Sequence, residues 1–176
     1  MEVIPIIPFY SHNKINGYFS NFYTAPSIYT IIDFNNDQMF PTSVYCENSE
    51  KAIMLNKAAL MKDMNNFQKL LKNSEPNICK SIGRCINPFN QEKWNNHINE
   101  IAFSVLYDKF TSTEELKNNL LSTNESILVE ATNLDKIWGC GININDPLVY
   151  KISEWKGTNI LGYTLMKVRT EIKKNK

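Results

Sequence analysis

Asn48-Ser49-Glu50-Lys51-Ala52-Ile53-Met54-Leu55-Asn56-Lys57-Ala58-Ala59-Leu60-Met61 is the most apolar helical stretch of the chain, and it holds an acid and a base seven residues apart. Seven residues is close to two helical turns, so Glu50 and Lys57 share a face with Met54 between them. Ala52, Ile53, Leu55, Ala58, Ala59, Leu60 and Met61 leave almost no solvated side. A helix apolar nearly all round belongs in a core. An ionised carboxylate left unpaired there costs several kcal/mol, so Glu50 needs a partner, a cleft or a proton. A plainer reading makes Asn48 the N-cap and Glu50 a first-turn acid favoured by the helix dipole.

The chain around this helix has 176 residues, enough for one domain that buries about 70% of its unfolded surface. Hydrophobic residues make up 43% and charged residues 21%, the balance of an ordinary globular protein. The formal net charge of +1 gives no global field to recruit nucleic acid or an anionic membrane. Local basic sites stay open. Cys46, Cys79, Cys85 and Cys140 show no paired metal-ligand spacing, and His12 and His97 lie far apart. No structural zinc is expected, and scattered cysteines point to a reducing, cytoplasmic setting. The start, Met1 to Pro8, is short, acidic and broken by prolines, so it reads neither as a signal peptide nor as a membrane span.

Taken in order, residues 3–10 predict a strand, with Pro5 and Pro8 placing it at an edge. Gly17-Tyr18-Phe19-Ser20-Asn21-Phe22-Tyr23 follows, an aromatic loop that is either a packed turn or a ligand wall with an orienting amide. Ile28 to Phe34 predicts a strand, Asn35-Asn36-Asp37 a turn, and Gln38 to Phe40 a returning hairpin partner. Pro41 to Glu47 then leads into the helix of Ser49 to Met61. Met64 to Lys72 predicts a short amphipathic helix. Ser74-Glu75-Pro76 starts another, ending near Gly83 with Lys80 and Arg84 at its C-terminal end. Those two cations serve either the helix dipole or a phosphate.

Asn90 to Phe110 is the longest predicted helix, with Trp94, Ile98, Ile101, Val105 and Leu106 at helical intervals and His97 a structural member of the stripe. Ser112 and Glu115 have the spacing of a capping box. Ile127 to Ala131 is the clearest strand. In the loop after it, Asp135, Trp138, Gly139 and Gly141 suit a ligand wall, because the ring can stack and glycine lets backbone approach. Read more plainly, Asp135 caps a turn and Trp138 fills the core. Trp155-Lys156-Gly157-Thr158-Asn159 opens the last helix, Ile160 to Ile172, with Asn159 as N-cap. Free N–H groups there are a natural anion site, and ordinary capping is the competing reading. Lys173 to Lys176 reads as a frayed, solvated tail.

Taken together these segments resemble the NADAR, or YbiA-like, family over nearly the whole chain. The resemblance is carried by Phe19-Ser20-Asn21-Phe22-Tyr23, by Ser49-Glu50 with Lys57-Ala58 and Asp63, by Ile82-Gly83-Arg84, and by Lys109-Phe110. It continues through Leu128-Val129-Glu130-Ala131 to Asp135-Lys136-Ile137-Trp138-Gly139. It ends with Trp155-Lys156-Gly157-Thr158-Asn159, Leu161-Gly162, Leu165-Met166 and Arg169. No single piece is specific, but seven in order are.

The resemblance implies a single, mainly helical α+β domain over residues 1–176, with a few short strands, that recognises ribose-phosphate ligands. It implies N-glycosidase activity without metal or cofactor. One branch of the family hydrolyses early riboflavin-pathway intermediates to ribose 5-phosphate and a free pyrimidine. Another removes ADP-ribose from guanine in modified DNA. By position, Glu50 matches the family's active-site glutamate. Asn21, Lys57, Asp135 and Trp138 match pocket positions, and Arg84, Gly157 and Asn159 match phosphate or ribose neighbours. Lys51 and Ala52 depart from the family, which usually carries Gln or His and then an aromatic residue there.

The chemistry fits those residues. Cleaving a ribose C1′–N bond builds positive charge on the sugar, which a carboxylate stabilises while activating water. Glu50 is expected in that role, with Lys57 binding phosphate or holding Glu50 ionised. Asp135 would orient water or ribose, or protonate the leaving base, and Trp138 would stack. The near-neutral charge favours a small-molecule substrate over nucleic acid, which would enter only as a modified substrate; no membrane partner is expected. A non-hydrolysing reader of NAD or ADP-ribose gains nothing from an anion beside bound phosphates. A purely structural domain would carry an apolar residue at position 50.

Overall fold

In the computed structural model, which describes residues 4–175, two short strand pairs and a larger set of helices build an α+β protein in which helix dominates. The strands are β1 (Ile6–Phe9), β2 (Thr24–Thr30), β3 (Ser43–Asn48) and β4 (Ile127–Glu130). The helices are α1 (Ser49–Leu60), α2 (Met64–Leu71), α3 (Pro76–Arg84), α4 (Gln91–Thr111), α5 (Glu114–Leu121) and α6 (Ile160–Lys174). The backbone groups into two compact units. One holds residues 24–109, and the other joins the residues through Tyr23 to those from Phe110 onward.

In the unit of residues 24–109, α1 is the organising element, as its apolar composition predicts. Every residue of α1 except Lys57 is buried. Asn48 caps it, its side chain accepting from Lys51 N–H at 2.9 Å while its amide donates to the Ser74 carbonyl at 2.8 Å. That second bond ties the start of α1 to the approach of α3. Asn56 crosses to the sheet, donating to Thr30 O and accepting from Ile32 N–H, which closes the end of β2 on the helix.

The hairpin differs from its predicted limits. The first strand is Thr24–Thr30 rather than Ile28 to Phe34, and its antiparallel partner is Ser43–Asn48, not Gln38 to Phe40. Two local interactions override the β-branched run. Ile32 N–H is taken by Asn56, and the Asp33 carboxylate accepts from the N–H groups of Asp37 and Gln38, which closes a loop instead of a strand. Asn36 and Gln38 take positive φ of 53° and 55° within it. The segment read as a lead into α1 is therefore mostly β3.

α3 runs through Gly83 to Arg84, starting at the predicted Ser74-Glu75-Pro76 signal with Glu75 at its N-cap and no side-chain cap bond. A Cβ on Gly83 would collide with Met54 of α1, so the glycine sets how closely these two helices pack. α4 buries Trp94, Ile98, Ile101, Ala102, Val105 and Leu106, the predicted stripe. His97 is structural as expected: its Nδ1 meets the Lys93 carbonyl at 2.7 Å and its ring stands edge-on to Phe34.

Lys109 of α4 is fully buried, and burial pushes its ammonium down to about 7. The unfolded chain holds that proton up to about pH 10.4. Between those two values the folded state binds fewer protons, so this residue makes stability rise with pH, by a few kcal/mol across the window. The gap between the urea unfolding midpoints of the native chain and Lys109→Met should move in favour of the native chain from pH 7 to 10, the comparison cancelling the buried thiols of Cys46 and Cys79, whose raised pKa values act in the opposite sense.

In the other unit, β1 pairs in parallel with β4, Ile6 opposite Ile127 and Phe9 opposite Glu130. Residue 3 of the predicted first strand lies outside the described residues. With two strands in the sheet, Pro8 sits on an edge as expected. The core beside β4 holds Val129, Ala131, Cys140, Ile142 and Val149, with Trp155 against it. α6 packs along β4. A Cβ on Gly162 would run into the Leu128 carbonyl, which explains the glycine there. Thr113, not Ser112, caps α5, accepting from Leu116 N–H. Of the predicted frayed tail, Lys173 and Lys174 belong to α6 and Lys173 bonds Glu125 at 2.5 Å, while Lys176 lies outside the described residues. Buried Arg169 of α6 donates to Thr123 Oγ1 and Ser126 O at 2.7 and 2.9 Å, holding the turn before β4. No helix among the described residues is long and apolar enough to cross a membrane.

Candidate active site

Three predicted residues gather in the unit of residues 24–109. Glu50 lies in the first turn of α1, only 7% exposed. Two turns on, Lys57 is the one residue of α1 that is not buried. Its Nζ donates to the Gly83 carbonyl at 2.8 Å, within the last turn of α3, where helix carbonyls lack intrahelical partners. The same nitrogen stands 4.8 Å from the centre of the Phe89 ring and 5.4 Å from that of Trp94. Burial lowers the Lys57 pKa; the Glu50 carboxylate opposes that shift, and the Arg84 guanidinium adds to it. Glu50, Lys57 and Arg84 thus form one electrostatic group, an acid with two cations; helical spacing puts the first two on one face, and the fold adds Arg84.

Lys51 takes no part in that group. Its ammonium turns to Glu47 at 2.9 Å and is almost completely buried. The departure from the family pattern at this position is absorbed by an ion pair on another side of the helix. Ala52 beside it is fully buried in the core.

Five predicted residues fall in the other unit. Asn21 is buried just after the 3-10 turn Gly17–Phe19, whose Phe19 ring packs on Phe9 and Phe110. Asp135 shapes the loop after β4: its Oδ1 accepts from the N–H groups of Ile137 and Trp138 at 2.9 and 2.8 Å. The turn-capping reading is therefore realised, and it sets the half-buried Trp138 in place. Gly139 lets this loop fold tightly, since a Cβ there would meet the carbonyls of Asp135 and Glu130 at 2.8 and 2.9 Å.

Gly157 and Asn159 lie on a second segment that zips onto the first. Lys156 and Gly157 N–H both reach the Cys140 carbonyl at 2.8 Å, and Thr158 N–H reaches Lys136 O at 2.9 Å. Asn159, Ile160 and Leu161 N–H reach the carbonyls of Gly139, Ile137 and Trp138 at 3.0 to 3.1 Å. The N–H groups expected to be free at the start of α6 are spent on this loop. That counts against the anion-site alternative at this helix start, because a donor already bonded to a backbone carbonyl has little left to offer a phosphate.

Asn159 stands at the N-cap position, but with φ 48° and no capping bond from its side chain. Its amide instead clamps β4, accepting from Glu130 N–H and donating to Leu128 O, both at 3.0 Å, and it is fully buried. Gly157 and Asn159 hold the backbone that carries Asp135 and Trp138. A Cβ on Gly157 would strike the Gly139 carbonyl, so the close approach demands glycine.

The sequence reading missed Phe89 and Trp94 as neighbours of Lys57. Trp94 was legible only as a core residue of α4, and nothing in the spacing linked either ring to a lysine more than thirty residues earlier. Among the described residues no group of three His, Cys, Asp or Glu side chains is arranged to hold a metal ion.

The fold is α+β, with a buried helix-borne carboxylate and two cations in one electrostatic group. The chain belongs to the NADAR family: the NADAR domain model matches residues 8–173. It is 35% identical over 124 residues to N-glycosidase R617 of Acanthamoeba polyphaga mimivirus, covering 70% of this chain and 73% of that one. Further matches, YbiA of Shigella flexneri among them, are likewise named N-glycosidases. It is 31% identical over 172 residues to the chloroplastic riboflavin biosynthesis protein PYRR of Zea mays, covering 95% of this chain and a quarter, 25%, of that longer protein. The NMR structure of Escherichia coli YbiA superposes with a TM-score of 0.73 at 26% identity, over 99% of this chain and 89% of that one. The chain is an enzyme of this N-glycosidase class, a hydrolase of N-glycosyl bonds.

Proposed function

We propose that the substrate is a ribosylaminopyrimidine phosphate of early riboflavin biosynthesis, hydrolysed at the ribose C1′–N bond to ribose 5-phosphate and the free pyrimidine. The observation that carries the reading is the Glu50, Lys57 and Arg84 group: a buried carboxylate for the sugar, with cations for its phosphate. The resemblance to a maize protein named for riboflavin biosynthesis and the formal charge of +1 support the small-molecule substrate.

In the proposed reaction the C1′–N bond breaks, its electron pair leaves with the base, and water supplies the oxygen that joins C1′. Glu50 stabilises the oxocarbenium-like sugar and takes the proton from the attacking water. The match to the family pattern assigns Asp135 the orienting of water or ribose, or the protonation of the departing base, and assigns Trp138 a stacking face. Lys57 and Arg84 bind the 5′-phosphate, and Asn21 contributes a polar group to substrate recognition.

The test is to incubate the protein with ribosylaminopyrimidine phosphates and, separately, with DNA carrying ADP-ribosylated guanine, following released base by mass spectrometry. Free pyrimidine and ribose 5-phosphate in equal amounts are expected from the first. Turnover of the DNA alone would move the assignment to ADP-ribosyl removal. Tight ligand binding without product over hours would make the chain a reader of ribose-phosphate ligands.

A further inference from the structure

Lys57 sits in a receptor of its own. Its ammonium has one hydrogen bond, to the Gly83 carbonyl, and two aromatic rings, Phe89 and Trp94, at cation–π range. The rings come from different places: Phe89 lies in the segment between α3 and α4 and is 42% exposed, while Trp94 lies in α4 and is buried. Gly83 belongs to α3, where Met54 of α1 fills the space a side chain would need. Three segments therefore converge on one side-chain nitrogen that already caps α3.

A helix cap alone does not need this arrangement, since a solvated lysine at a helix C-terminus is satisfied by the carbonyl and water. We propose that Phe89 and Trp94 are positioning residues that hold the Lys57 ammonium charged and in one place to receive the substrate's phosphate. The inference rests on the phosphate-binding role given to Lys57 above.

Its electrical logic is specific. Burial works against the charged lysine, and Arg84 of α3 adds to that, while the Glu50 carboxylate of the same helix favours it. The negative faces of two rings favour it as well without adding a formal charge, so they hold the cation without competing for the phosphate. Three other charged groups on the packed elements are directed elsewhere. Lys93 of α4 donates to Asn35, Lys51 of α1 pairs with Glu47, and the Asp63 carboxylate ahead of α2 accepts from Asn66 and Asn87.

The test uses Phe89→Leu and Trp94→Leu beside the aromatic replacements Phe89→Tyr and Trp94→Phe. The Lys57 pKa is followed through its side-chain nitrogen resonance, which needs no substrate. Each leucine variant is expected to lower that pKa by about half a pH unit, and each aromatic variant to restore it. KM for the ribosylaminopyrimidine phosphate should rise about 3- to 10-fold with kcat held within about twofold, while the dephosphorylated nucleoside is handled as before.

A Lys57 pKa unmoved in Phe89→Leu, or an equal loss with the dephosphorylated compound, would overturn the proposal. Phe89 is surface-exposed, so its variant stays informative if Trp94→Leu fails to fold. Absence of turnover in the native protein would instead remove the substrate assignment, with the resonance shift still reporting on the clamp.

Discussion

Glu50→Gln is expected to fold like the native chain and to lose at least about a thousandfold in turnover, the range seen when a charge-stabilising or general-base group is removed. The substitution keeps the size and hydrogen-bonding reach of the side chain but removes the negative charge and the proton-accepting oxygen. Asn48 continues to cap α1, since its acceptor bond is to Lys51 N–H rather than to residue 50. The fold should be kept, because glutamine fills the same buried volume and carries no charge to desolvate.

A second readout separates lost charge from lost shape. The Glu50 carboxylate raises the Lys57 pKa against the effect of burial, so Glu50→Gln should lower it further. Nuclear magnetic resonance of the Lys57 side chain and a base-release assay on one sample would report both effects. Near-native turnover would end the assignment of Glu50 as the catalytic carboxylate, and an unmoved Lys57 would end the electrostatic pairing.

Asn159→Ala is expected to give the largest loss of stability among the substitutions considered, about 3 to 5 kcal/mol. Its amide serves two buried backbone groups of β4, Glu130 N–H and Leu128 O, and both would be left without that partner. Each such orphan costs about 1 to 3 kcal/mol. Alanine also tolerates the local φ of 48° less well than asparagine, which reaches the left-handed region routinely. Asn159→Asp is the informative companion: it keeps the acceptor for Glu130 N–H but sets a carboxylate oxygen against the Leu128 carbonyl. It should be at least as unstable at neutral pH and recover partly on acidification, as a protonated carboxyl regains a donor. Urea unfolding at pH 5 and pH 7 would show the difference. Equal stability of native and Asn159→Ala proteins would refute the clamp.

The two substitutions show where the sequence was readable. α1 was legible almost to the residue, because its apolar periodicity, its Asn48 cap and its acid–base spacing all agree with one structure. The long α4 and the Ile127–Glu130 strand were legible for the same reason. The hairpin was misplaced because its edges are set by Asn56 and Asp33 side chains, whose reach to the backbone leaves no periodic mark. The cap of α5 moved from Ser112 to its neighbour Thr113, since both residues suit the position.

Residue identity and order determined the family, the mainly helical α+β character and the grouping of Glu50 with Lys57, because helical spacing alone puts those two on one face. Only the tertiary structure decided what the polar groups are spent on. It gave Gly157 and the first N–H groups of α6 to the loop carbonyls of residues 136–140, turned the Asn159 amide onto β4, and sent Lys51 to Glu47. It also set Phe89 and Trp94 around Lys57. The physical reason is that a hydrogen bond or a ring contact depends on distances between segments remote in sequence, and a chain of residue types carries no direct record of those distances.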